Sequence, residues 1–157
     1  MEKLDKKNVL DILALTSVQE GILFHYLKEP ESNQYIEQLC LGIAGRIDME
    51  FFKKAWDKVV QANEMLRVVF RWQKVENPIQ LILRKHHPPI TYYDFSGDAA
   101  GVVQERLLEI KAKDRKEQFD LRLVPFRVIC CKLGDGAYEV VITYHHILCD
   151  GWSTGII

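Results

Sequence analysis

No apolar stretch in the sequence approaches the roughly 18 residues of a membrane span. The opening Met1-Glu2-Lys3-Leu4-Asp5-Lys6-Lys7 lacks the continuous apolar region of a signal peptide. These two absences lead to the expectation of a cytoplasmic protein that neither crosses nor enters a membrane. Charge of one sign is also missing. The 21 Lys and Arg residues are matched by 22 Asp and Glu, the formal net charge is −1, and the signs are well mixed. No basic face argues for nucleic acid and no acidic tail argues for a solvated arm. Cysteine is scarce and irregularly placed. Cys40, Cys130, Cys131 and Cys149 lie in strand-like segments without Cys-x-x-Cys spacing, which fits buried thiols better than a disulfide framework. There is no internal repeat and no low-complexity segment, and 157 residues suffice for one domain burying roughly two-thirds of its unfolded surface.

The hydrophobic period switches several times between helix and strand, which marks an α+β domain. Thr16 or Ser17 can cap a helix running to about Leu27, with Glu20 at the capping-box position for Ser17. A strand is expected over residues 35–44. Asp48 then caps a helix through Asn63 whose Phe52, Ala55, Trp56, Val59 and Val60 form one apolar face. Residues 66–73 and 79–84 read as strands separated at Asn77-Pro78, residues 90–93 as a short edge strand, and residues 97–116 as a charged amphipathic helix. A second hairpin joins residues 126–133 and 138–144 around Gly134-Asp135-Gly136.

Directly after that last strand comes Tyr144-His145-His146-Ile147-Leu148-Cys149-Asp150-Gly151-Trp152-Ser153, an HHxxxDG run. Adjacent strand residues point to opposite faces, so His145 and His146 cannot do the same job. One faces the core and the other a cleft. An imidazole at a strand end can exchange a proton near neutral pH, and a carboxylate such as Asp150 can hold a partner group in place. His145 is expected to be a core residue satisfied by hydrogen bonds. A zinc site built from His145, His146, Cys149 and Asp150 is the rival, opposed by the divergence of the two rings and by the lack of ligand spacing elsewhere; no metal is expected.

Three ordered segments give the chain a family resemblance. Leu15-Thr16-Ser17-Val18-Gln19-Glu20-Gly21 resembles an opening Ser-x-x-Gln motif, and Ala62-Asn63-Glu64-Met65-Leu66-Arg67-Val68-Val69-Phe70 resembles in part an RHxxLRTxF motif. The HHxxxDG run is the third. In the second segment Ala62-Asn63 replaces Arg-His and Val68 replaces Thr, while Leu66, Arg67 and Phe70 are retained. The chain thus resembles the N-terminal lobe of a condensation domain of a nonribosomal peptide synthetase, similar to the start of tyrocidine-, gramicidin- and surfactin-type subunits.

The resemblance implies a chloramphenicol acetyltransferase-like lobe, a mixed and mostly antiparallel sheet with helices packed on it. Residues 16–157 would form this lobe and residues 1–15 a leader, either disordered or docking a preceding synthetase subunit. The implied reaction is amide formation between a donor peptidyl or aminoacyl thioester and an acceptor aminoacyl thioester. Both would ride on 4'-phosphopantetheine arms of upstream and downstream peptidyl carrier domains, with no cofactor bound directly. By resemblance His146 is catalytic, as general base or as a positioning group, with His145, Asp150 and Gly151 supporting the site. Arg67, a guanidinium suited to a buried carboxylate, is expected to pair with Asp150. Ser17 and Gln19 either line the substrate channel or pack the first helix. The family's second, C-terminal lobe would be the missing wall of the cleft, so the 157 residues alone are expected to be an inactive fragment. Two other readings stay open: a trimeric CoA-dependent acyltransferase of the chloramphenicol acetyltransferase type, and a non-catalytic carrier-docking module.

Overall fold

Four antiparallel ladders and one parallel ladder organise the chain in a computed structural model that describes residues 5–30 and 32–149. The order is β1 (Val9–Ala14), α1 (Ser17–Lys28), β2 (Ile36–Ala44), α2 (Met49–Ala62), β3 (Val68–Arg71), β4 (Ile79–Leu83), β5 (Ile90–Asp94), α3 (Ala100–Lys116), β6 (Phe126–Gly134) and β7 (Ala137–His145). The α+β architecture is as expected, with its strands divided between a sheet β1-β4-β3 and a sheet β2-β7-β6-β5. No helix among the described residues is long and apolar enough to cross a membrane.

Local chemistry explains where the helices begin. The Asp48 carboxylate accepts from the Glu50 and Phe51 amides at 2.8 and 3.1 Å, satisfying two donors that the first turn of α2 leaves without partners. Helix α1 is capped by Thr16, and its capping box closes with Gln19 where Ser17 and Glu20 had been the alternative. Two boundaries shift from the sequence expectation. Helix α3 starts at Ala100, three residues later than expected, and residues Glu64–Arg67 form one 3-10 turn before β3. A larger difference lies in the leader, where Val9–Ala14 pairs antiparallel with β4 and is therefore a strand, not a disordered arm.

Strand β7 is hydrogen-bonded on both edges, to β2 from Ile36↔His145 through Ala44↔Ala137 and to β6 from Phe126↔Tyr144. The β6–β7 turn needs a left-handed residue, which Gly136 supplies at φ 71°. Alternation along β7 sorts its side chains. Tyr138 and Val140 join a core with Val60 of α2, Ile22 and Leu23 of α1, and Phe70 and Ile82 of the small sheet. Val141 instead joins Ile129 and Cys131 beneath Val103 and Leu107 of α3. Burying each such aliphatic side chain contributes about 1.5–3 kcal/mol. Cys130, Cys131 and Cys149 are buried as expected, and burial pushes the Cys131 thiol up to about 12. Cys40 departs from the expectation, because β2 is an edge strand and leaves it exposed.

On the α3 side the sheet is joined to the helix by a buried carboxylate. Asp114 Oδ1 accepts from Arg127 Nε at 2.6 Å, while Oδ2 accepts from Gln38 Nε2 at 2.8 Å and from the Thr143 hydroxyl. Arg127 also lies 4.1 Å from the Phe119 ring centroid and donates to the Glu117 carbonyl at 2.8 Å. Removing one member of a buried pair leaves an uncompensated charge. Asp114→Ala is therefore expected to lower the unfolding free energy by about 3–5 kcal/mol, measured by urea denaturation; a change within error would show that Arg127 finds other compensation.

Candidate active site

Where β7 ends, its last amide and the next one leave toward opposite neighbours. The His145 N–H donates to the Pro125 carbonyl at 3.0 Å, and the His146 N–H donates to the Tyr35 carbonyl at 2.7 Å. Tyr35 offers that carbonyl from a left-handed backbone, φ 67°, which is uncommon for a bulky side chain. The chain then turns, with Leu148 N–H returning to the His145 carbonyl at 3.0 Å.

The two rings behave as their opposite faces require. His145 is 3% exposed, lies on the same face of β7 as buried Thr143, and has the Tyr26 and Tyr35 rings at 6.0 and 6.2 Å. Its Nδ1 accepts from the Ile147 N–H at 3.2 Å, so in the neutral ring the proton sits on Nε2. Burial, with a smaller effect of adjacent His146, pushes its pKa down to about 4. His146 is half-buried, and its Nδ1 lies 2.6 Å from the Cys149 carbonyl. A carbonyl can only accept, so Nδ1 carries the proton and Nε2 of the neutral ring keeps its lone pair. The neighbours thus hold opposite tautomers, and only the second has Nε2 available as a base.

Arg67 is buried, 4% exposed, at the 3-10 turn before β3. Its Nη1 donates to the Leu83 carbonyl, and its Nη2 lies 3.5 Å from the Gln61 carbonyl and 3.7 Å from the Glu64 carboxylate. Its Nε has no partner among the described residues. Asp150 and Gly151 lie outside the described residues, and with them the expected Arg67–Asp150 pair. Ser17 is exposed at the first position of α1. Gln19 is half-buried, and its amide spans from Thr16 N–H to the Ile147 carbonyl. Among the described residues no three His, Cys, Asp or Glu side chains are placed to hold a metal ion.

Sequence reasoning missed Tyr35 and Gln80, and named Cys149 only for its thiol. Tyr35 and Cys149 act through backbone carbonyls, which no residue type announces. Gln80 left a signal, being the one polar residue in Ile79-Gln80-Leu81-Ile82-Leu83, and it bonds both Gln19 and the Ala14 carbonyl.

Comparison with known proteins places this geometry in a family. Residues 9–157 match the Condensation domain model. Tyrocidine synthase 2 of Brevibacillus parabrevis is 33% identical over 158 residues, covering 100% of this chain and 4% of the relative. Bacitracin synthase 3 of Bacillus licheniformis is 35% identical over 155 residues, covering 97% and 2%. The chain thus spans only a small part of these relatives. Among solved structures, a four-domain nonribosomal peptide synthetase bound to AMP and glycine superposes with TM-score 0.82 at 25% identity, over 99% of this chain and 12% of that one. The first condensation domain of the calcium-dependent antibiotic synthetase, in complex with a substrate analogue, has TM-score 0.83 at 21% identity, over 95% and 38%, a likeness of fold.

The low pKa of His145 has a consequence for stability. With about 4 in the folded chain against an ordinary 6.5 in the unfolded chain, the unfolded state binds more protons between these values. Stability is therefore complete above pH 6.5 and falls by about 3 kcal/mol in all as pH drops toward 4. Urea midpoints across this window should show the decline. His145→Asn, which keeps an acceptor for the Ile147 amide, should flatten that part of the profile. An equal slope in both proteins would contradict the assignment.

Proposed function

The chain belongs to the condensation-domain family, and from that premise we propose that its His146 handles the proton in amide formation between two carrier-bound thioesters. The acceptor amine attacks the donor thioester carbonyl, the C–N bond forms, and the C–S bond breaks. His146 Nε2 takes the amine proton and returns it to the departing thiolate. Both substrates ride on phosphopantetheine arms of upstream and downstream peptidyl carrier domains, and a second lobe of the same domain forms the facing wall of the cleft. The observation that supports this best is the Nδ1 hydrogen bond of His146 to the Cys149 carbonyl, which leaves Nε2 as the basic atom. Arg67 belongs to the proposal as the partner of Asp150. Its support is that Arg67 is 4% exposed and that its Nε has no partner among the described residues.

Residues 1–15 have a proposed role as well, in docking a preceding synthetase subunit. Supporting it, Leu10, Ile12 and Leu13 are 41%, 58% and 43% exposed on β1, an edge strand. Grafting these residues onto another subunit should redirect which upstream subunit it accepts; unchanged partner choice would count against docking.

The main test is His146→Ala in the full polypeptide, with amide formation measured between two loaded carrier proteins. The rate is expected to fall by about 10²–10⁴, and wild-type turnover would overturn the assignment.

A further inference from the structure

A base that works through one ring nitrogen depends on whatever fixes its loop, and in this loop residue 147 is held at both polar backbone atoms. Its N–H donates to His145 Nδ1 at 3.2 Å, and its carbonyl accepts from Gln19 Nε2 at 3.1 Å. Its side chain is 1% exposed. We propose that Gln19 is a positioning residue for His146, acting through the Ile147 carbonyl; the proposal rests on His146 being the proton-handling group.

The orientation of the Gln19 amide follows from its partners. Thr16 N–H, at 3.0 Å, needs an acceptor and so faces Oε1, which turns Nε2 toward the Ile147 carbonyl. Gln80 fixes the same choice. Its Nε2 donates to the Ala14 carbonyl at 3.1 Å, and the two glutamine amides exchange reciprocal hydrogen bonds at 3.3 Å. One side chain therefore ties the start of α1, strand β4 and the loop after β7 into a single network. The segment it grips lies between His146 and the Cys149 carbonyl that sets the His146 tautomer. Losing the grip lets the Ile147 peptide rotate and loosens the Cys149 bond to the ring, and misplacing a catalytic group by about 1 Å can cost about 10²-fold in rate.

Helix capping and loop positioning use opposite ends of the same amide, so they can be separated. Gln19→Glu keeps an oxygen for the Thr16 N–H and suits a helix N-terminus, yet at neutral pH it cannot donate to Ile147. Thr16→Ala removes the hydroxyl that accepts from the Gln19 backbone amide at 3.2 Å and leaves the side-chain donor in place. In the full polypeptide, Gln19→Glu should still fold, with a midpoint lowered by the lost bonds to Ile147 and Gln80, lower kcat by about 10- to 100-fold, and leave KM for the loaded carriers unchanged. In ¹⁵N spectra of the imidazoles, the His146 signal should lose its Nδ1-protonated signature. Thr16→Ala should also lower the midpoint, by several degrees, but with kcat and tautomer retained. If Gln19→Glu does not fold, Gln19→Met, of similar size and with the backbone cap intact, must show the same loss of kcat and of tautomer signature. Unchanged kcat and tautomer in a folded Gln19 variant, or equal loss of kcat in Thr16→Ala, would overturn the proposal. The two readings fail separately. Full activity in His146→Ala removes the proton-handling role, whereas an inactive His146→Ala beside a fully active Gln19→Glu removes only the positioning role.

Discussion

Hydrogen bonding along both edges of β7 is the constraint on which the site depends. A strand with β2 on one side and β6 on the other cannot twist about its axis or slip by one residue without turning every side chain to the wrong face. The strand therefore delivers His145 to the interior and leaves its successor outside the pleat. The departing amides continue the same logic, since Pro125 and Tyr35 collect them on opposite sides. The ring of His146 thus starts from a backbone already fixed at two points.

The paired histidines show how one residue type is given two chemistries by its surroundings. Nδ1 of the first accepts from the Ile147 amide and Nδ1 of the second donates to the Cys149 carbonyl. Burial holds the first neutral and makes it a spacer with one hydrogen bond. The second keeps partial exposure and a directed lone pair. Arg67 adds a cation that is largely hidden from water and only distantly matched by Glu64, an arrangement that favours further negative charge nearby.

Much of this was legible in the residues themselves. Asp48 before an apolar helical face, the Asn77-Pro78 break and the Gly134-Asp135-Gly136 turn each produced the element they signal. The divergence of His145 and His146 follows from strand geometry alone. Other features were hidden for physical reasons. Asp11 masked a strand in the leader, because charge is tolerated on an edge whose outer side meets water. The parallel pairing of β5 with β6 is set by the α3 crossover and not by any residue of Ile90–Asp94. Gln19 matched a motif, but its double use as cap and loop anchor needed Ile147, distant in sequence, to be brought beside it.

The pairing of β2 also sets the order in which this protein can be made. Among the described strands its only neighbour is β7, so residues 36–44 wait for residues 137–145, roughly a hundred positions later. On the ribosome, β1, β3 and β4 can meet early, while the β2 backbone lacks a ladder partner until residues 137–145 have emerged. Closure of the large sheet and arrival of the two histidines are then one late event. A nascent chain stalled before β7 would leave the β2 backbone unpaired beside Leu39, Leu41 and Ile43, which are 46%, 42% and 36% exposed even in the folded sheet, a ribbon suited to chaperone capture or to sticking to its copies.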